Sequence, residues 1–483
     1  MIVNNNLNLN QLKLFKLLQI LTKEEFFRLG KFLRSPFFNY TPTLVSFYKA
    51  LKRYHPMFDS PRLQAEKLWL RVFPDKVYTE QKFRQLCSDL TRLAEKYFVQ
   101  LELEQPEGKS QQLLIQSLGR RNAYDLLEKA AKARMGVLEQ AAVQDAGWHQ
   151  ERCTLLEQWY FHPLHDKAAK KEDLLIELMD SLDAYFLLQK MKVGIALISK
   201  HKILKKDYDI RYLSILEGEE KDSFLEKNSL FQLYQASFDL LRNGEERDFL
   251  KIEDLLFDYL EDLKKEDLQL FFFNALNYAV RKMNRGEYRF GKEVLRWYKK
   301  GLEEGILIQD GLISVSTFQN IIHTSCKYGD FDFGKKFIET YQHCLAENLR
   351  KDTVAYGWGL FYFYKKELNK AISILMDENW EKSHQLSGRN LLVKAYFEKF
   401  LLDRNQYFFL ENAIHAFEIF LMRNKEFPKA HLEPHLNLVR ILKALARKIV
   451  AFESKKEVQS WLASQLEKRK KVISKSWLNG LEF

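Results

Sequence analysis

Residues 285–303 read RGEYRFGKEVLRWYKKGLE, and residues 328–346 read YGDFDFGKKFIETYQHCLA. The two stretches share Gly-acidic-aromatic-x-Phe-Gly-Lys at an offset of 43 residues. Glycine adopts a left-handed backbone without steric cost, so Gly286 and Gly329 are expected to end a helix. The next aromatic, Tyr288 or Phe331, is expected to open a second helix with its ring turned inward. Three residues later stands another glycine, Gly291 or Gly334. A glycine inside a helix costs about 1 kcal/mol against alanine, so it marks a close approach by a neighbouring helix. Each copy reads as a helical hairpin.

Outward from this pair the pattern continues. Residues 355–375, AYGWGLFYFYKKELNKAISIL, follow the second copy by 37 residues and carry Trp358, Gly359 and Tyr362 on a first helix, then Leu368, Ala371 and Ile372 on a second. A fourth copy over residues 393–421 keeps Ala395 with Phe397, and Ala413 with Phe417 and Phe420. Upstream, LLRNGEERDFLKIEDLLFDYL is a relative whose first helix ends on Gly244. The small and aromatic residues at these spacings are similar to tetratricopeptide repeats. Two features depart from that family: no proline closes a copy, and the usual period is about 34 residues. The resemblance implies an all-α fold, a right-handed superhelical stack of helical hairpins with a concave groove, and it does not reach the first hundred residues. The overall texture is also similar to helical proteins common in Bacteroidota.

Composition supports helices throughout. Apolar residues make up 46% of the 483-residue chain, enough buried surface to offset the ordering entropy. No proline occurs between Pro163 and Pro428. Such a run, rich in Leu, Glu and Lys, reads as consecutive helices with short connections. The expected organisation is a smaller basic helical domain over 1–104, degenerate hairpins over 105–265, tetratricopeptide-like repeats over 266–450 and a basic C-terminal helix or tail over 451–483. Residues 105–120 are the expected boundary. The four cysteines, Cys87, Cys153, Cys326 and Cys344, are widely spaced among apolar residues and read as buried thiols in a reducing compartment. With no signal-peptide pattern, and with LQLFFFNALNYAV too short and polar to span a bilayer, a cytoplasmic protein without membrane contact is expected.

The N-terminal helices announce themselves by their caps. Thr22 with Glu25 has capping-box spacing ahead of Phe26, Leu29 and Leu33. Ser60 and Pro61 are expected to begin a third helix. The next, TEQKFRQLCSDLTRLAEKYF, places Phe83, Leu86, Cys87, Leu90, Leu93, Ala94 and Tyr97 on one side. Residues 63–98 resemble the helix-turn-helix part of winged-helix activators that carry a tetratricopeptide domain. That resemblance implies DNA contacts from Lys82, Arg84, Gln85, Arg92 and Lys96, with VQLELEQPEGKSQQLLI (99–115) either as the wing or as more helix. The charge of +11 is concentrated at the ends, with an excess of seven basic residues in 1–104 and again in 440–483. Lys468, Arg469, Lys470 and Lys471 are further phosphate-binding candidates, while Trp477, Leu478 and Leu481 are expected to dock on the last hairpin or on a partner.

Motifs for chemistry are lacking. EGKS at Glu107 lacks the first glycine of a phosphate loop, and YGWGLF has no third glycine and no preceding strand. His162, His165 and Asp166, and separately His431, Glu433 and His435, have metal-donor chemistry, but the prolines among them suggest loops at helix starts. No nucleophile elbow is present. The expected function is therefore a non-catalytic scaffold or adaptor without a cofactor, holding a protein or peptide with groove candidates Tyr278, His323 and Tyr362, each of which reads equally as a core residue of its helix. The alternative is a DNA-binding regulator using the basic N-terminal reader, with nucleic acid as its partner.

Overall fold

The computed structural model describes residues 7–105, 108–162, 172–204, 228–376, 380–424, 426–451, 454–469 and 471–483. Among the described residues there are 22 α-helices and no strand, apart from one isolated bridge between Gln309 and Leu312. The chain divides into two compact units, residues 1–189 and 190–483. No described helix is long and apolar enough to cross a membrane.

In the first unit, α1 (Lys13–Gln19), α2 (Lys23–Phe32), α3 (Pro42–Leu51) and α4 (Ala65–Val72) all pack against α5 (Glu80–Leu103). Their core is aromatic, with Phe15, Phe47 and Phe83 fully buried, and the inward side of α5 is the one its periodicity indicates. Thr22 and Glu25 make the reciprocal capping box of α2. Ser60 and Pro61, by contrast, do not start α4. The Ser60 hydroxyl accepts the Arg62 amide (3.3 Å) and its carbonyl accepts that of Leu63 (2.9 Å). This local turn consumes the groups that would have capped a helix, which then begins only at Ala65. The wing is not formed either: Val99, Leu101 and Leu103 extend α5, and residues 109–120 form α6 (Lys109–Arg120). Helices α6, α7 (Tyr124–Leu138) and α8 (Ala146–Tyr160) enclose a second core around Ile115, Leu127, Ala131 and Leu155, joined by Leu178 of α9 (Glu172–Leu204).

The second unit runs as hairpins: α10 (Ser229–Arg242) with α11 (Glu246–Asp258), α12 (Lys265–Asn284) with α13 (Arg289–Glu303), α14 (Val315–Lys327) with α15 (Phe331–Tyr341) and α16 (Glu347–Tyr364) with α17 (Leu368–Leu375). Then come α18 (Lys382–Leu402) with α19 (Tyr407–Arg423), α20 (Lys429–Val450) with α21 (Lys455–Lys468), and the short α22 (Lys475–Asn479). Each helix from α10 to α21 packs on the next in sequence, and first helices also meet across hairpins at α10/α12, α14/α16 and α16/α18. Trp477, Leu478 and Leu481 dock into the core of the last hairpins, as the C-terminal sequence suggests.

The repeated turn has one geometry. Gly286 and Gly329 have φ of +95° and +82°, and the same left-handed position is taken by Lys366 at +63°. In all three, the following amide reaches back five residues: Glu287 to Lys282 (3.2 Å), Asp330 to Ser325 (2.8 Å) and Glu367 to Tyr362 (2.9 Å). This is the Schellman closure that satisfies carbonyls at a helix end. One expectation fails. Tyr288 is 74% exposed, and Phe290 fills the core in its place, because Tyr288 stands before the first turn of α13 and Phe290 within it.

The inner glycines mark close approaches, but to different neighbours. A Cβ on Gly334 would stand 2.7 Å from the Ser325 Oγ of its own hairpin, whereas one on Gly291 would stand 1.7 Å from Cζ of Tyr328 in the next hairpin. Gly291→Ala is therefore expected to destabilise the second unit by about 1–3 kcal/mol, the usual cost of overpacking. In a Tyr328→Ala background the same change is expected to cost little. Urea unfolding of the four proteins of this cycle checks the coupling.

Candidate functional site

Successive first helices bring a row of polar side chains together inside the second unit. In α14, His323 accepts or donates a hydrogen bond to the Tyr364 hydroxyl of α16 (2.9 Å), and the two rings meet edge to face. Burial drives the His323 imidazole down to about 4, assisted by the positive charges of Lys394 and Lys327, so it is neutral at pH 7. Burial raises the Tyr364 phenol above its ordinary range. About three turns earlier along α16, the Thr353 hydroxyl pairs with His384 of α18 (3.1 Å).

Lys394 is the unusual member. It rises from α18 into the core, with its ammonium 5.0 Å from the Phe363 ring centre and 5.1 Å from that of Trp477. Among the described residues it has no ion-pair partner. Glu398, one turn on, is engaged elsewhere: it accepts the Trp477 indole N–H (2.8 Å) and pairs with Lys366 (2.6 Å). Burial lowers the Lys394 pKa to about 8; the charge of Glu398 opposes the shift and that of Lys366 adds to it. The ammonium is thus held by two aromatic faces and by a carboxylate that is not in contact with it. The sequence reading passes over Lys394 and Glu398, although Lys394 and Glu398 four apart in LLVKAYFEKFLL, a helical run whose one other charge is Lys399, are a legible signal.

The three proposed groove residues have different fates. His323 belongs to this row. Tyr362 is half-buried, stacks on Trp358 (5.8 Å) and carries Lys370 over its ring (5.3 Å). Tyr278 is no groove residue: it is 3% exposed, stacked on Phe249 (5.4 Å) with Phe290 edge-on (5.8 Å), because the close packing of α11, α12 and α13 encloses it.

The basic candidates are exposed but partly compensated. Lys82, Arg84, Gln85, Arg92 and Lys96 all lie on the solvent side of α5. Glu80 holds Arg84 (2.7 Å), and Asp89 pairs with Arg92 and accepts the Gln85 amide (3.0 Å). Lys82 and Lys96 have no ion pair among the described residues. At the other end, Lys468 is exposed, Arg469 is half-buried and Lys471 pairs with Glu433 (2.9 Å); Lys470 lies outside the described residues.

No three His, Cys, Asp or Glu side chains among the described residues assemble as a metal site. His162 is buried 3.4 Å from the Gly119 carbonyl, and His165 and Asp166 lie outside the described residues. His431, Glu433 and His435 stand within α20 and not in a loop. Pro434 sits near its start, where one lost amide bond is tolerated in so long a helix, and its carbonyl accepts the Ile473 amide (3.3 Å). Burial pushes the Cys87 and Cys326 thiols up to about 12, the reverse of what a nucleophile needs. Compared with family models, with curated proteins and with solved structures, the chain matches none.

Proposed function

We propose that the chain is a non-catalytic helical-repeat scaffold that holds a protein or peptide partner against the first helices of its hairpins. The observation that supports this reading is a pair of half-buried aromatics on the first helix α16, Trp358 and Tyr362, stacked with ring centres 5.8 Å apart. Aromatics of this kind offer the apolar contacts from which binding energy usually comes. A benzoylphenylalanine cross-linker at Tyr362 should capture one discrete polypeptide, and one at the second-helix position Lys336 should not. Equal capture from both positions would remove this reading.

The exposed row on α5 supports a second reading, a DNA-binding regulator. Internal pairing of Arg84 and Arg92 leaves Lys82 and Lys96 as its uncompensated charges. A duplex shift that weakens steeply with salt, and is lost on Lys82→Glu with Lys96→Glu, would promote it over the scaffold.

A further inference from the structure

We infer that the outward face of α9 between Ile176 and Phe186 is a docking surface for a basic amphipathic helix. The inward face of this stretch is fully engaged: Leu178 and Ser181 are buried, and Arg152 of α8 reaches Glu177 (2.6 Å) and the Ser181 hydroxyl (2.8 Å). At helical spacing, Ile176, Met179, Leu182 and Phe186 fall on the opposite side, where a surface helix ordinarily carries polar groups. They are exposed by 59%, 58%, 44% and 43%. Four large apolar side chains over about three turns form a stripe roughly 15 Å long, beyond the scattered exposure that needs no explanation.

The charges around the stripe select the partner. Asp183 stands within it and Asp173 and Asp180 along one edge, and none of the three has a cation partner among the described residues. Glu177, the acid of this stretch that is paired, faces α8. A bilayer with anionic headgroups would meet these carboxylates unfavourably. A second copy laid on the same stripe would set carboxylate against carboxylate, which disfavours self-pairing. A helix with apolar residues at i, i+3 and i+7 beside Lys or Arg satisfies both features of the face. This surface belongs to the first unit and stands independently of the polar row in the second.

Fluorescence anisotropy of the full-length chain with a fluorescein-labelled Leu-Lys amphipathic peptide, and with its Leu-Glu counterpart, tests the inference. Saturable binding of the Leu-Lys peptide is expected, at least tenfold tighter than that of the Leu-Glu peptide. Met179→Lys with Phe186→Lys should weaken it at least tenfold, and Asp180→Lys with Asp183→Lys should invert the preference between peptides. Asp180→Asn with Asp183→Asn, which preserves shape, should weaken binding severalfold, and circular dichroism should show all variants folded. Three results would overturn the inference: no saturable binding, binding indifferent to the α9 changes, or a concentration-dependent dimer in sedimentation that Phe186→Lys dissolves.

Discussion

Replacing Trp297 by alanine is expected to remove about 3–5 kcal/mol from the stability of the 190–483 unit, the range for deleting a fully buried large aromatic. Trp297 lies in α13 with no exposure, and its ring contacts Phe249 (5.7 Å) and Phe257 (5.2 Å) of α11 and Phe272 (5.1 Å) of α12. One side chain thus ties two consecutive hairpins. In a stack whose stability is a sum over neighbours, its loss acts on the interface as well as on its own hairpin. The indole N–H has no hydrogen-bond partner among the described residues, so Trp297→Phe should cost far less, since it removes an unsatisfied donor along with some volume. Urea unfolding followed by circular dichroism checks both. A loss under about 1 kcal/mol for the alanine variant would mean that the α11–α13 aromatic cluster does not couple its hairpins.

Acid is expected to weaken both units through buried histidines. His149 in α8 and His435 in α20 are driven down to about 4, by burial alone for His435 and chiefly by burial for His149, where Arg152 assists and Asp145 opposes. Burial also lowers His384, against the carboxylates of Asp352 and Glu381. In an unfolded chain histidine binds a proton near pH 6.5, well above the folded value. Stability is therefore full above pH 7 and falls as the pH drops toward 4. For His149 and His435 the loss is about 2 kcal/mol each by pH 5. Both nitrogens of His149 lack partners among the described residues, so His149→Phe should leave the first unit stable and flatten its share of the pH profile. Urea midpoints at pH 7.5 and 5.0 measure the effect. A midpoint unchanged over that range would show that these histidines protonate in place.

The N-terminal core illustrates what periodicity can reach. Along α5 every residue named for the inward side is buried, since an isolated amphipathic helix has one way to hide its apolar face. Ser60 shows the limit. Its hydroxyl suits a helix cap and a turn equally well, and the turn took it, so a cap residue alone did not place the start of α4. Tyr288 and Tyr278 mark the same limit among the rings: one was expected inside and is exposed, the other was a candidate contact and is core. Their spacing along the chain does not say which neighbouring helix arrives above them.

Local chemistry was sufficient for the helical class, the hairpin unit and the left-handed turns at Gly286 and Gly329, because each depends on backbone sterics and side-chain period within a few residues. The partner of each small residue was decided only by assembly: Gly334 meets its own hairpin and Gly291 the next, from the same motif. The polar row likewise joins side chains up to 71 positions apart, from His323 to Lys394, and no local pattern encodes which of them share a low-dielectric interior. Burial depends on what packs over a residue, and that is a property of the folded neighbours.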